Sequence, residues 1–337
     1  MIRDIAEQAG VSIATVSRVL NGRPDVSQAT RDIVLQQVRA MGYVGNRTAR
    51  GLASGRTGLI GVVVPFTQNG FFSGIIEGAS EALFERDARP VLCPTQHRHD
   101  REVSVLERLM HGTTDGTLLV TPTETRVEMQ HLRQFGSPFV VIDPSLLMQD
   151  GIPVVSSTNW AGGRQATEHL ISLGHTRIAV VTGYPGWCAS EDRLAGYQTA
   201  LVAAGLPLRP EYIVESDFKF DGGLSAGHAL LSLPSPPTAI FAQSDNMAIG
   251  IMRAARQRGL RLPEDLSVVG FDDIDLAPVT TPALTTVAQP LQELGRHAVT
   301  LLYRLIDALP LEVSRVELST RLVIRESTMP PPRRNRD

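Results

Sequence analysis

Apolar residues at the start of the chain recur at helical spacing. Ile2, Ile5, Ala6 and Ala9 fall three or four positions apart, and Gly10 ends the run, which predicts a short helix. Ser12 is placed to cap a second helix over residues 13–21, with Val16, Val19 and Leu20 as its inward stripe and Gly22 closing it. Ser27 is placed to cap a third, with Val34, Val38 and Met41 inward and Gly42 as its stop. Two short helices joined by a Gly-containing turn, with a third in support, match a helix-turn-helix unit.

From Gly58 the pattern changes. Residues 59–65 (Leu-Ile-Gly-Val-Val-Val-Pro) form a continuous apolar run, as a strand buried on both faces requires. A helix is expected over 71–86, with strands at 90–93, 116–120 and 139–142. After residue 150 the alternation restarts, with strands at 154–156, 178–182, 239–242 and 267–270. Helices are expected at 161–173, 193–204, 222–233 and 247–258. Alternation of this kind predicts βαβ units and doubly wound parallel sheets. Two successive runs predict two α/β lobes with a cleft between them.

Composition narrows the class. Across 337 residues, 42% hydrophobic and 20% charged content fits a soluble globular protein of two or three domains. No apolar run is long enough to span a bilayer, and the start has no apolar signal core, so the expected location is the cytoplasm. Two cysteines, Cys93 and Cys188, exclude a disulfide framework and a four-cysteine metal site. The net charge of −3 hides an asymmetry: residues 1–57 hold eight arginines against four acids, a net +4, while the rest carries −7. A basic head on an acidic body suggests that the head alone meets a polyanion.

The second helix supplies chemistry suited to DNA. An α-helix fits the major groove, where base edges are distinguishable. Arg18 can donate two hydrogen bonds to guanine, and Ile13 and Ala14 can touch thymine methyls. Ser12, Ser17 and Asn21, with Thr15 on the same helix, are short polar groups suited to phosphate oxygens. A solvated Arg18 and an Ile13 packed in the core remain an equal alternative on this pattern alone.

In open α/β sheets, ligands bind beyond the carboxyl ends of strands. The residues placed there are Phe71, Phe72, Asp143, Trp187, Arg193, Phe218, Ser244, Asp245, Asp272 and Asp273. A carboxylate and a guanidinium flanked by aromatic rings suit a sugar, whose hydroxyls bond the charged groups and whose C–H face stacks on the rings. Asp272 with Arg193 as a structural ion pair, and Phe71 or Phe218 as plain core, are the alternatives. His97 and His99 are read as solvated residues of a polar loop.

The stretch from Asp4 through Ala9-Gly10-Val11-Ser12-Ile13-Ala14-Thr15-Val16-Ser17-Arg18 to Asn21-Gly22 resembles, almost position by position, the opening of the lactose/galactose repressor family of bacterial transcription regulators. The likeness continues through Gly42-Tyr43 to Gly51-Leu52. It returns at Ala166-Thr167-Glu168-His169-Leu170, Leu173-Gly174-His175, Arg193-Leu194-Ala195-Gly196-Tyr197 and residues 262–273 and 281–287. The resemblance implies that Ile13, Ala14 and Arg18 read bases. It also implies that Asn46, Ala49, Arg50 and Leu52 belong to a hinge helix in the minor groove, with Leu52 as an apolar wedge. Phe72, Asp143, Arg193, Phe218, Ser244 and Asp272 then line the effector cleft. A homodimer on a palindromic double-stranded operator follows, without cofactor or metal. The helix at 289–309 and the strand at 321–324 are expected to cross back to the first lobe.

The fold expected is therefore α/β, an N-terminal helix-turn-helix DNA-binding domain (1–45), a hinge (46–57), a two-lobed periplasmic-binding-protein-like effector and dimerisation domain (58–329) and a tail (330–337). The tail lacks a leucine heptad, which favours a dimer over a tetramer. The function expected is a repressor released by a sugar or short oligosaccharide. A corepressor-dependent repressor is the nearest alternative. A sugar transport protein or an enzyme stands further off, since no ordered triad, phosphate loop or metal-ligand spacing is present.

Overall fold

The computed structural model describes residues 2–20, 23–42, 56–148 and 151–332. The chain forms two compact units, Met1–Thr57 and Gly58–Asp337. In the first, α1 (Ile2–Gln8), α2 (Ile13–Leu20) and α3 (Gln28–Ala40) close on Ile5, Val16 and Val34, which are fully buried. Gly10 takes a positive φ of 65°, which a residue with a Cβ resists, and this turns the chain from α1 into α2. Ser12 Oγ accepts from the Thr15 amide at 3.1 Å, and Ser27 Oγ from the Thr30 amide at 3.3 Å, so both predicted caps form. Met41 departs from expectation. It lies beyond the last turn of α3 as its C-cap, and its side chain is 39% exposed rather than inward. Asn21, Gly22 and the predicted hinge over 46–57, apart from Arg56 and Thr57, lie outside the described residues.

The second unit holds two six-stranded sheets. The first has the order β11-β5-β4-β3-β1-β2, every pairing parallel. Its strands are β1 (Leu59–Val64), β2 (Arg89–Pro94), β3 (Gly116–Val120), β4 (Phe139–Ile142), β5 (Val154–Ser157) and β11 (Arg315–Leu318). Helices α4 (Gly70–Phe84), α5 (His99–Arg108) and α6 (Arg126–Gln134) alternate with them. The second sheet has the order β12-β10-β9-β8-β6-β7. It comprises β6 (Ile178–Val181), β7 (Ile213–Val214), β8 (Ala239–Ala242), β9 (Ser267–Asp272), β10 (Thr285–Ala288) and β12 (Arg321–Val323). Helices α7 (Asn159–Ser172), α8 (Cys188–Ala203), α9 (Phe220–Leu231) and α10 (Asp245–Gln257) belong to this lobe. Val62, Leu118, Val140 and Val155 anchor the first core, and Val181, Ile240, Ile251 and Val268 anchor the second.

The chain passes between lobes three times. Residues 157–159 carry it from β5 to α7, residues 288–291 from β10 to α11 (Leu291–Ile306), and residues 318–321 from β11 to β12. The helix expected to cross back does so, since α11 packs in the first core through Leu294, Ala298 and Leu302. The strand does not. β12 pairs antiparallel with β10 in the second sheet, with Val287 opposite Leu322. The strand that crosses is β11, which pairs with β5 and was not anticipated. It is an edge strand with alternating exposure, and its short run of Arg-Val-Glu-Leu carries little apolar signal.

Sequence reading also started α8 a turn and a half late. Ser190 and Arg193 are buried in it alongside Tyr197 and Leu201, so polar residues interrupt its apolar stripe. α7 and α8 approach through glycines. A Cβ on Gly196 would sit 2.2 Å from the Trp160 carbonyl oxygen, and one on Gly163 would sit 2.3 Å from that of Arg193. This backbone contact sets Arg193 against the start of α7.

Candidate functional site: a recognition face and an interlobe cleft

The outer face of α2 is open. Ile13 is 43% exposed, Ala14 and Arg18 are exposed and Ser17 is half-buried. Ile13 is therefore not core, while the exposed Arg18 fits both a base-reading and a merely solvated side chain. Arg18 Nε stands 3.7 Å from Asp25 Oδ2, with both side chains more than half exposed. A pair so solvated contributes about 0–1 kcal/mol and leaves the guanidinium available. Ser12 and Thr15 share a hydroxyl hydrogen bond at 2.9 Å at the start of the same helix. Asn21, Asn46, Ala49, Arg50 and Leu52 lie outside the described residues.

The second site is a cavity of about 310 Å³ between the lobes of the second unit. Its walls come from segments that follow strand ends: Phe66 after β1, His97 after β2, Thr121 after β3 and Asp143 after β4. Tyr184 and Trp187 follow β6, Phe218 follows β7, Ser244 follows β8, and Asp272 ends β9. Every effector residue expected from the sequence lines this one cavity: Phe71, Phe72, Asp143, Trp187, Arg193, Phe218, Ser244 and Asp272. Asp245 and Asp273 do not. Asp245 is buried behind the cavity, accepting from Thr286 Oγ1 at 2.5 Å and from the Ile274 amide at 2.9 Å. Asp273 pairs with Arg325 at 2.6 Å.

The cavity is a place of stored backbone strain. Of the nine described non-glycine residues with positive φ, five line it: His97, Thr121, Asp143, Phe218 and Asp272. Such conformations cost about 1–3 kcal/mol each and persist where surrounding contacts enforce them, typically at binding sites.

Arg193 organises the floor. Its Nε donates to Asn159 Oδ1 at 2.8 Å and its Nη1 to the Gln243 carbonyl at 2.6 Å. Its guanidinium lies over the Phe271 ring at 3.7 Å, and Nη1 stands 3.9 Å from Asp272 Oδ1. Asp272 also accepts from Gln289 Nε2 at 2.7 Å. Burial pushes the Asp272 carboxyl up to about 7, because Arg193 and Gln289 only partly offset the loss of water. Burial raises Asp143 as well, against the pull of Arg193 and the Asn159 amide. Ser244 spends its hydroxyl on the fold, donating to the Phe218 carbonyl at 3.2 Å and accepting from the Met247 amide at 3.3 Å as the cap of α10.

His97 is a correction. It is half-buried, not solvated, and its ring stands 5.0 Å from Phe66, 5.4 Å from Trp187 and 5.8 Å from Tyr184. Burial, then the nearby Lys219 ammonium, lowers its pKa to about 4. His99 does remain exposed, 2.9 Å from Glu128. Sequence reading missed Phe66, Thr121 and Tyr184, although the strand-end rule that found Asp143 covers them. Asn159 and Gln243 also follow strand ends, of β5 and β8, but their task of holding Arg193 arises from contacts across 34 and 50 residues of chain, which strand-end placement does not show.

A helix-turn-helix head and a two-lobed α/β body with a strand-end cleft define a class of ligand-binding regulator. The profile of bacterial regulatory proteins of the lacI family matches residues 1–46, and that of the periplasmic binding protein-like domain matches residues 167–328. Catabolite control protein A of Priestia megaterium is 35% identical over 328 residues, covering 97% of this chain and 98% of that protein. The chain belongs to the lacI family. Among solved structures, it is similar to the transcriptional regulator CelR–cellobiose complex, at a TM-score of 0.76 and 35% identity over 97% of this chain and 99% of that one. It is also similar to the lac repressor dimer bound to operator and the anti-inducer ONPF, at a TM-score of 0.87 and 28% identity over 98% and 99%. Among the described residues, no helix is long and apolar enough to cross a membrane.

Proposed function

We propose that this chain is a cytoplasmic transcriptional repressor that binds a palindromic operator as a homodimer and is released by a sugar. The observation that carries the reading is the pairing in one chain of an outward face of Ile13, Ala14, Ser17 and Arg18 with a cleft whose charged floor is walled by aromatic rings. The head, residues 1–45, docks α2 in the major groove. Ile13, Ala14 and Arg18 read base edges, while Ser12, Thr15, Ser17 and Asn21 hold phosphates. Residues 46–57 form the hinge, with Asn46, Ala49, Arg50 and the wedge Leu52 at the minor groove. Residues 58–329 bind effector and dimerise, and 330–337 form the tail.

Phe71, Phe72, Trp187 and Phe218 supply stacking faces in the cleft. Asp143, Arg193 and Asp272 supply hydrogen bonds to hydroxyls, with Ser244 behind them. The protein binds rather than catalyses, since the strongest charges in the cleft are held by one another and by Asn159 and Gln243. Ligand acts by preferring one lobe arrangement, and it shifts DNA affinity only by its differential affinity for the two states. A gel shift of the full chain on DNA from its own upstream region, with and without sugars, tests the reading. Release by a sugar supports it, whereas tightening by the same sugar makes that sugar a corepressor. Absence of sequence-specific binding with and without sugar would refute the repressor assignment.

A further inference from the structure

We infer that the cleft takes an uncharged saccharide of at least two rings, the first held at a polar floor and the next stacked in an aromatic mouth. The inference rests on the sugar reading above and adds charge and length to it.

The charge follows from how the lining cations are already engaged. Arg193 is buried, with Nε donating to Asn159 Oδ1 and Nη1 to the Gln243 carbonyl, and Nη1 stands 3.9 Å from Asp272 Oδ1. Lys219, the one lysine of the chain, stands 3.5 Å from Asp217 Oδ2. Asp143, Asp217 and Asp272 therefore outnumber the two lining cations, and His97 adds no positive charge at neutral pH because its pKa is lowered to about 4. An anionic group entering the floor meets the Asp143 and Asp272 carboxyls, whose pKa values burial already raises, beside a guanidinium whose Nε and Nη1 already donate to Asn159 and Gln243. Placing it there uncompensated is costly. Hydroxyls, which donate to carboxylates, carry no such penalty.

The length follows from where the rings stand. Phe71 and Phe72 are buried, with ring centroids 5.1 Å apart, and Phe72 stands 6.3 Å from the half-buried Phe66. A second group of rings is half-buried: Phe66 and His97 from the first lobe, Tyr184 and Trp187 from the second. Tyr184 and Trp187 lie 4.7 Å apart, and His97 closes on both from the opposite lobe. The exposed residues Lys219 and Phe220 place this group at the opening. These outer rings pack on one another at 4.7–5.8 Å and together present an aromatic surface to the cavity, beyond the polar floor that a first sugar ring occupies. Gln68, Asp217 and Asn246 line the same cavity, so whatever stacks in the mouth also meets hydrogen-bonding groups. That favours a second sugar ring over an apolar aglycone.

The test is calorimetry and thermal shift on the full-length protein with cellobiose, maltose and xylobiose, their monosaccharides, ribose, glucose 6-phosphate and an aryl glucoside. One disaccharide should bind about tenfold or more tighter than its own monosaccharide, the scale of one added stacking contact. Its affinity should not change between low and high salt, since no net charge is screened. Trp187→Ala, from one lobe, and His97→Ala, from the other, should each narrow the disaccharide-to-monosaccharide ratio toward unity while melting remains cooperative. A monosaccharide that binds as tightly as every disaccharide, or a preference for the sugar phosphate or the aryl glucoside, overturns the inference and leaves the sugar reading standing. If no saccharide in the panel binds, both fall.

Discussion

Arg193 Nε donates to Asn159 Oδ1 across 2.8 Å, with both side chains buried. Asn159 opens α7 just after the chain leaves the first sheet. The bond thus anchors the principal cation of the cleft to one of the segments that cross between the lobes. Gly163 and Gly196 make the approach possible, because a Cβ at either would overlap backbone of the facing helix. Packing, the interlobe crossing and the binding floor share the same few residues, which shapes what substitutions there should do.

Asp272→Asn keeps the size of the side chain and removes its charge. It should abolish the ligand's effect in an operator gel shift while operator affinity without ligand stays near wild type. Arg193→Ala should be harsher, because it strands buried Asp272 and Asp143 without their cation. Losses of this type cost about 3–5 kcal/mol, read as a lower Tm of the body. A wild-type response to ligand in Asp272→Asn would remove that residue from the effector site.

Ligand binding should depend on pH through Asp272, whose folded pKa is raised to about 7 from an ordinary 3.8. A hydroxyl ligand that donates to the carboxylate favours its charged form, so binding expels a proton below that pKa. Affinity should rise from about pH 5 to about pH 7 and then level off. The raised pKa also means that this group's contribution to stability is greatest below its ordinary value and is lost as pH rises through about 7. Calorimetry in buffers of differing ionisation heat reads the proton release, and Asp272→Asn should show none.

His97 works in the other direction. Its folded pKa is lowered from 6.5 to about 4, so the unfolded chain takes up the proton first on acidification. The contribution is fully present above about pH 6.5 and shrinks as pH falls toward about 4. The melting temperature of His97→Phe should fall less over that window than that of the wild type. An equal acid slope in the two proteins would place the histidine in a solvated setting instead.

Gly196→Ala should destabilise the second lobe by about 1–3 kcal/mol, since the added methyl overlaps backbone rather than a movable side-chain end. Denaturant melts measure the loss. Ligand affinity should fall with it, because α8 must back away from Asn159 and take Arg193 along. Unchanged stability would show that the two helices separate freely.

Arg18→Ala should weaken operator binding by about 1–3 kcal/mol and relax preference at one symmetric base position. Binding to random DNA should fall less. Selection of preferred sites by mutant and wild type gives the comparison, and identical preferences would assign the arginine to phosphate contact alone.

Local periodicity was sufficient for most of the architecture. The runs at 116–120, 139–142 and 239–242 coincide with β3, β4 and β8, because strands buried on both faces must be apolar throughout. The head was equally legible, since short helices with Ser12 and Ser27 as caps are specified by neighbours in the chain. Strand-end placement located Asp143, Arg193, Phe218 and Asp272 before any contact was known. Tertiary structure alone decided the rest. Met41 turned outward because α3 ends before its side chain reaches the core. Strands β11 and β12 went to different lobes because pairing depends on which edge is open, and neither short run encodes that choice. His97 became part of an aromatic wall only when the opposite lobe brought Trp187 and Tyr184 to its ring. Such contacts join residues nearly a hundred positions apart in the sequence, and they exist because the chain crosses between the lobes three times.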